Sequence, residues 1–585
     1  MEKYTIIKKK EQLNELIFSL KKSNFFAFFL HISTTKNNTS SILGIAFSIN
    51  INNSIYLPLK LKSHRETYNI TLKDIFLCLK KLFENTQITK IGYNIKSIIK
   101  ILKSYNITLS NNTYDIMIAE YFLNNTIKKS MLLHNINKNL IKNNNFLKIK
   151  QNYTTVEKKN IYFSLKKVRI LLITYKQTQK KINENKKTQK IFKNIDLNLI
   201  KVLNNLENNG IYVRKKILRN ISNTFNAKLF YLQKKAYVIS KNKFNLLSNL
   251  ELTKVFPSLA SPKKITQKIL NILSKKHLLL KIILRYRNLY MLKNTYSDKL
   301  LNLINEKTNR IHCSYNQTNT ITSRLSSSNP NLQNIPIHNK EGKHIRKAFI
   351  APKNYLLISA DYSQFELRIL AHFSQDKNFL NIFSNNGDIH LITASEIFNI
   401  PIKDVDENLR YHSKLINFSI IYGMSSYGLS QKLNINIDKA KNYIEIYKKK
   451  YKKIFEYIEN TKNIALKYGF ILTLEGRKLF IPNIKSKYKK NRKTAEKTAI
   501  SATIQGTTAD IMKMSMIQIN NLIENNFYKN AKMILHIHDE LIFEVKKEKI
   551  HIFCKKIKYI MENIIKLSVP LIINTKIGKN WLEMN

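Results

Sequence analysis

Two acidic segments carry residue types that could do chemistry. In LLISADYSQFELRILAHFS (356–374), LLIS reads as a short buried strand and Asp361 falls at its end, where a carboxylate can project from a rigid edge. A helix follows, carrying Leu367, Leu370 and Phe373 inward. In MILHIHDELIFEV (533–545), two apolar runs flank His538-Asp539-Glu540, the pattern of a β-hairpin with acids at its turn. Two carboxylates on separate rigid strands suit two-metal catalysis, in which Mg²⁺ ions about 3.5–4 Å apart activate an attacking oxygen and stabilise a leaving one. Each segment also has a plainer reading: a polar turn for the triplet, a helix N-cap for Asp361.

A third segment, DENLRYHSKLINFSIIYGMSSYGLS (406–430), reads as a helix with Asp406 as N-cap and Gly423 at its end. Arg410, Lys414, Phe418 and Tyr422 recur every four residues. At about 100° per residue each step advances about 40°, so the four form one slowly drifting stripe. Cations at one end can bind phosphates and aromatics at the other can stack, so a nucleoside triphosphate could lie along it. An amphipathic helix with solvated basic residues has the same pattern.

The elements that must position these residues divide in two. From residue 1 to about 125, buried strands such as FFAFFL (25–30) and ILGIAFSI (42–49) alternate with helical stretches such as TLKDIFLCLKKLFENT (71–86), whose Ile75, Leu79 and Leu82 share a face. That is an α/β pattern. Residues 138–190 are rich in Lys and Asn with weaker apolar spacing, and no period of 20–50 residues marks a repeat. From about 191 to 300 the chain turns helical, with NIDLNLIKVLNNLENNG ending at Gly210. A boundary is expected near 190, then a helical arm over about 215–305 and a sheet-containing core from about 311.

Composition narrows the class. The 585 residues hold 100 Lys+Arg and 38 Asp+Glu, a net charge of +62. Such a body attracts polyanions, nucleic acid first and an anionic membrane surface second. Part of the excess fits AT-rich coding, since the basic residues are spread throughout. Three distant cysteines, Cys78, Cys313 and Cys554, give neither a disulfide framework nor a zinc site and fit a reducing compartment. No apolar run approaches the ~18 residues of a membrane span, and the start, MEKYTIIKKKEQLNELIF, has neither signal nor transit character.

Taken together, the three segments resemble the A, B and C motifs of the family A DNA polymerases. TSRLSSSNPNLQNIPI (322–337), NGDIH (386–390), QGTTADIMK (505–513) and KNTYSDKL (293–300) match further stretches in collinear order over about 191–585. The resemblance implies an α/β plus α+β architecture. A ribonuclease H-like exonuclease-type domain (1–190) would precede a right hand (191–585) of thumb (about 215–305), palm (about 311–385 and 503–585) and fingers (about 386–502). It implies a DNA-directed DNA polymerase that adds deoxynucleotides to a primer 3′-OH, in replication or repair, with two Mg²⁺ ions for which Mn²⁺ can substitute. It assigns metal binding to Asp361, Asp539 and Tyr362, a supporting role to Glu540, and the triphosphate to Arg410 and Lys414, the latter also a general acid for pyrophosphate. Phe418 would pack on the sugar and base, Tyr422 would cover the template position, and Glu366 would be the steric gate against a 2′-hydroxyl. Gln364 and His390 would contact sugar and phosphates. Arg324, Gln505, His538 and Asn334 would contact the primer-template. Implied partners are primer-template DNA and dNTPs, with no membrane, for a monomer in a bacterial cytoplasm and its nucleoid.

Phe365, Ser419, Lys497 and Ser501 depart from the family's usual Ile, Gly, Arg and Asn, which touches fidelity and template grip. Residues 1–190 resemble the family's 3′→5′ proofreading domain, but Phe29, His31, Ile98 and Lys166 stand where its metal-binding acids belong; Tyr162 of the last motif remains. Apolar and cationic groups cannot hold two metals, so a retained but inactive nuclease scaffold is expected. A relocated site at Asp115 or Glu120 is the competing view. The family's 5′-nuclease domain is expected to be absent, the chain starting where the large fragment would. The rival functions are a DNA-binding protein decayed from a polymerase, against which the intact Asp361, Asp539, Arg410 and Lys414 speak, and a nuclease, against which the lost acids speak.

Overall fold

A computed structural model describes residues 3–34, 40–59, 72–126, 155–256, 267–336 and 340–584. Residues 138–154 of the Lys- and Asn-rich stretch, and Ile337 and Thr71 at the ends of two quoted segments, lie outside them.

The first unit is a six-stranded mixed sheet. Strand Phe25–Thr34 lies at its centre, antiparallel to Ser40–Asn50 on one side and parallel to Thr89–Gly92 on the other. Phe26, Phe28, Ile45 and Phe47 are fully buried, as the apolar runs predict. Helix Leu72–Glu84 forms as expected and buries Leu79, Leu82 and Phe83.

One element runs against the sequence reading. Thr155–Asn183 is a single 29-residue helix laid against that sheet. Its buried residues Ile161, Leu165, Val168, Leu172 and Tyr175 step by four and three, a regular helical stripe. Exposed Lys and Gln, such as Lys176 and Gln177, and the buried polar residues Lys167, Thr174 and Thr178 dilute the stripe enough to hide it in composition.

No gap falls at the boundary expected near residue 190. Helix Lys186–Ile191, a π-helical turn Phe192–Leu197 and helix Asn198–Asn209 form a continuous run. Ile191, Phe192, Ile195 and Ile200 belong to the first core, Leu199, Leu203 and Leu206 to the second. The run ends at Gly210, whose φ of +55° suits glycine; a Cβ there would meet the Ile311 carbonyl at 2.7 Å.

Beyond it, the expected arm is helical, built on Lys215–Ser240 and Leu278–Leu292. The second core wraps a four-stranded antiparallel sheet in the order Ala531–Ile537, Glu540–Lys546, Tyr355–Tyr362, Ile573–Gly578. Leu541, Ile542, Phe543 and Val545 are all buried. A buried side chain of this kind contributes roughly 1.5–3 kcal/mol, so the sheet that carries the acids is rigid. A 38-residue helix, Lys489–Asn526, runs beside it. Among the described residues no helix is long and apolar enough to cross a membrane.

Candidate active site

The acids meet because two strands pair in one register. Asp361, next to last in strand Tyr355–Tyr362, lies opposite Glu540, the first residue of strand Glu540–Lys546. Directly opposed residues point to the same face of a sheet. The Tyr362 N–H donates to the Asp539 carbonyl at 3.3 Å, so the turn carrying Asp539 closes on the end of the Asp361 strand. Asp361 is therefore a strand residue, and Gln364 takes the N-cap position of the helix that follows. Gln364 and His538 both adopt left-handed backbone, φ +51° and +50°. Non-glycine residues held there cost about 1–3 kcal/mol and concentrate at functional sites.

Asp361 lies within electrostatic reach of both other carboxylates. Burial, then Glu540 and Asp539, pushes Asp361 up to about 7 against the pull of Lys576. Burial raises Asp539 to about 6, opposed by Arg324. Burial also raises Glu540, although the Ser359 hydroxyl donates to it. A divalent cation relieves that repulsion, and hard oxygens are the donors Mg²⁺ takes, alongside waters and substrate phosphates. Among the described residues no three His, Cys, Asp or Glu side chains converge on one point. Tyr362 contributes no side chain to the site: its ring is buried, and its hydroxyl bonds Ser515 and the Met561 carbonyl. Only its main-chain oxygen remains for a cation.

Glu366 sits in the middle of a second knot. Buried to 6% exposure, it accepts from Arg324 through one oxygen and from the Tyr422 hydroxyl through the other. The same Arg324 nitrogen lies 3.8 Å from Asp539 Oδ1. Burial and Glu366 raise the Tyr422 hydroxyl's pKa, and Gln505, part-exposed on the long helix, is near enough to oppose that rise.

The helix expected at 406–423 spans Glu407–Ile421, capped by Asp406, which accepts from the Leu409 N–H at 2.7 Å. Ser413, Ile416, Asn417 and Ile420 are buried, whereas Arg410, Lys414, Phe418 and Tyr422 keep the open side. The Phe418 and Tyr422 rings are 6.5 Å apart and nearly parallel, at 18°. Arg410 is held by Asp388 at 2.7 and 2.8 Å. Both partners are partly exposed, so the bridge is worth about 0–1 kcal/mol and yields readily to a phosphate. Lys414 is exposed and makes no ion pair among the described residues. His390 is buried beneath this helix, its ring bonded to Asn417 and 5.9 Å from that of Phe418. Burial, aided by Lys414 and Arg410, lowers it to about 4. At neutral pH it can offer a phosphate a hydrogen bond but no charge.

Asn334 stands apart: its carbonyl takes the Tyr296 hydroxyl at 2.8 Å and the residue is exposed. The neighbouring Gln333 reaches the hairpin instead, donating to the His536 carbonyl at 3.3 Å. Gln333, Asp388 and Ser359 are the residues the motif reading passed over. Only Asp388 had a visible signal, an Asp two residues before His390 at a helix start.

In the first unit, one of the positions expected to lack acids, Phe29, lies in an aromatic and cationic cluster, while His31 bonds the Tyr56 hydroxyl and Ile98 is buried. Lys167 Nζ lies 4.1 Å from the Phe29 ring centroid and 5.2 Å from that of Phe163. Lys166, at the expected acid position, turns to the Tyr162 ring instead. Asp115 is fully buried and accepts N–H groups of Asn94, Ile95 and Met117 at 2.7–3.0 Å. It caps two helices.

The sequence model described as "DNA polymerase family A" matches residues 215–583, and the one described as "3'-5' exonuclease" matches 4–169. DNA polymerase I of Pseudomonas aeruginosa is 32% identical over 99% of this chain and 66% of its own length. DNA polymerase I of Borreliella burgdorferi is 35% identical over 100% and 65%. The chain thus spans just under two thirds of these curated relatives. Among solved structures, the POL domain of Pol1 from M. smegmatis, in complex with DNA primer-template and dNTP, aligns over 100% of both chains with a TM-score of 0.86 at 27% identity.

Proposed function

The chain belongs to DNA polymerase family A, and from that membership we propose that it is a DNA-directed DNA polymerase, extending a primer 3′-OH with deoxynucleoside triphosphates under a DNA template. The observation that carries the reading is the meeting of Asp361 with Asp539 and Glu540 at one strand end, beside the Arg324–Glu366–Tyr422 knot. The thumb is the helical arm of about 215–305, the palm surrounds the four-stranded sheet (about 311–385 and 503–585), and the fingers are about 386–502.

Asp361, Asp539 and the Tyr362 carbonyl would hold two Mg²⁺, with Glu540 supporting them from the facing strand. Bound there, the ions would lower the pKa of the primer hydroxyl and neutralise charge on the transferred phosphoryl group. Arg410 exchanges Asp388 for a phosphate oxygen, and Lys414 supplies a second cation and a proton for the leaving pyrophosphate. Phe418 packs on the sugar and base, Tyr422 covers the template-base position when the fingers are open, Gln364 and His390 add neutral hydrogen bonds, and Glu366 closes the space beside C2′. Arg324, Gln505, His538 and Asn334 read the primer-template, where minor-groove acceptors are nearly the same for every base pair. Proofreading is absent because the first unit has no carboxylate at Phe29, His31, Ile98 or Lys166. The reading puts its DNA in a bacterial nucleoid, which the bacterial origin of the relatives supports, and a monomer suffices for the site.

Primer extension with a 3′-labelled and a 5′-labelled primer tests the reading. Template-directed lengthening is expected. DNA binding without lengthening would leave a decayed DNA-binding protein, and shortening would leave a nuclease.

A further inference from the structure

The exonuclease-like unit lacks its acids, yet it is bonded to the loop that carries Arg324. Short strands Ser314–Asn316 and Ser326–Ser328 pair as a hairpin, and residues 317–325 form its loop. Two donors from the first unit reach the tip of that loop. The Tyr121 hydroxyl donates to the Thr320 carbonyl at 2.6 Å, and Asn125 Nδ2 donates to the Ile321 carbonyl at 2.7 Å. Tyr121 and Asn125 are buried, at 5% and 6% exposure. Asn125 is also fixed from behind, its Oδ1 accepting the Phe480 N–H at 2.8 Å. From Thr320 the restraint continues, because its Oγ1 donates to the Arg324 carbonyl at 2.8 Å. On the loop's other side Lys513 donates to Ser323, which is buried with φ +60°. The loop is gripped between the two units, and its guanidinium is delivered to Glu366 and to within 3.8 Å of Asp539.

We propose that Tyr121 and Asn125 are positioning residues for Arg324: the exonuclease-like unit serves as a brace that sets where the guanidinium meets the primer terminus. The inference rests on the polymerase reading of Arg324 given above. Removing one donor leaves a carbonyl in a buried seam without its partner and frees the loop tip. A displacement of about 1 Å in a positioning group can cost about a hundredfold in rate; loss of one of two donors is expected to cost less.

The test uses the full chain and single-nucleotide insertion on primers with matched and mismatched 3′ ends. Tyr121→Phe deletes only the hydroxyl. Asn125→Asp keeps the acceptor for the Phe480 N–H and loses the donor to the Ile321 carbonyl, together with a longer bond to the Phe480 carbonyl at 3.4 Å, so Tyr121→Phe is the cleaner probe of the loop contact. Each should lower kcat/KM on matched ends three- to tenfold and narrow the matched-to-mismatched ratio by a similar factor, with the KM for dNTP unchanged. In an Arg324→Ala background, Tyr121→Phe should have no further effect, since residues acting through one group are not additive. An unaltered mismatch ratio in both single variants, or full additivity with Arg324→Ala, would overturn the brace. A general loss of folding would lower the melting temperature and the dNTP response together, and that outcome also counts against it. Wild-type protein that adds no nucleotide would instead remove the polymerase reading on which the inference stands.

Discussion

Asp361 and Glu540 face each other across two antiparallel strands, and Asp539 is carried by the turn immediately before Glu540. The strand register sets Asp361 and Glu540 on one face, and the Tyr362 N–H closes the Asp539 turn on the end of the Asp361 strand, without any flexible loop between them. Burial, followed by the charges of Glu540 and Asp539, lifts Asp361 to about 7. An arrangement that is unfavourable alone and relieved by a divalent cation is the electrostatic signature expected of a metal-dependent site.

The first prediction concerns those acids. Asp361→Ala or Asp539→Ala is expected to lower kcat for nucleotide addition more than a hundredfold, about 2.7 kcal/mol or more in transition-state binding. The Kd for primer-template should change by less than about threefold, because DNA binding rests on cations distributed over the chain. Single-turnover insertion and equilibrium binding measure the two separately. Either variant keeping a tenth of normal turnover would remove that residue from the metal site.

The second concerns the first unit. With Mg²⁺ or Mn²⁺ and no nucleotides, a primer with a frayed 3′ end should remain intact. Phe29, His31, Ile98 and Lys166 stand at the motif positions where carboxylates are needed, and a further cation, Lys167, lies over the Phe29 ring. Asp115 is no substitute, since its oxygens already accept three main-chain N–H groups. Progressive shortening that vanishes in Asp115→Ala or Glu120→Ala would reveal a relocated site.

A third prediction follows from the seam between the units. Arg477 bridges Asp196 at 2.7 Å and Asp510 at 2.8 Å, and Lys513 adds 3.3 Å to Asp196, all four buried. Burial alone would raise Asp196, but Arg477 and Lys513 together hold it below its usual 3.8. A depressed carboxylate contributes stability that is present above the unfolded pKa and lost as pH falls through the folded one. Asp196→Asn should therefore lower unfolding free energy at pH 7 by about 3–5 kcal/mol, the cost of leaving a buried cation unpaired. The gap should hold down to about pH 5 and close below the unfolded pKa, near 4. Denaturant midpoints across that range measure it; equal midpoints at pH 7 would contradict it.

Motif spacing made the site legible but left its connections hidden. The stripe Arg410, Lys414, Phe418 and Tyr422 was readable because a helix turns local spacing into a face. The register placing Asp361 opposite Glu540 was half-readable: each strand showed itself, but a pairing across about 180 residues leaves no local trace. Bonds such as Tyr121 to Thr320, or Arg477 to Asp196, join positions whose sequence neighbours say nothing of each other. The helix Thr155–Asn183 was hidden for another reason, since its regular buried stripe is interrupted in composition by exposed Lys and Gln and by the buried polar Lys167, Thr174 and Thr178.

The last prediction concerns sugar selection. Glu366 is fixed by Arg324 on one oxygen and Tyr422 on the other, so its carboxylate cannot swing aside to admit a larger sugar. Phe418 lies on the same helix as Tyr422, one turn away, with the two rings nearly parallel. These residues are therefore expected to bracket the sugar of the incoming nucleotide and to choose deoxynucleotides by exclusion. Glu366→Ala should raise ribonucleotide insertion and leave discrimination against dideoxynucleotides less affected. Phe418→Tyr should do the converse. In the family a Tyr at this position supplies a polar group that compensates for a missing 3′-hydroxyl, so the substitution should relax dideoxy discrimination more than tenfold, above about 1.4 kcal/mol. Insertion kcat/KM for the three sugar types, measured with both variants, decides it. An unchanged dideoxy ratio in Phe418→Tyr would mean that the stripe does not face the sugar, and the placement of Arg410 and Lys414 on the triphosphate would weaken with it.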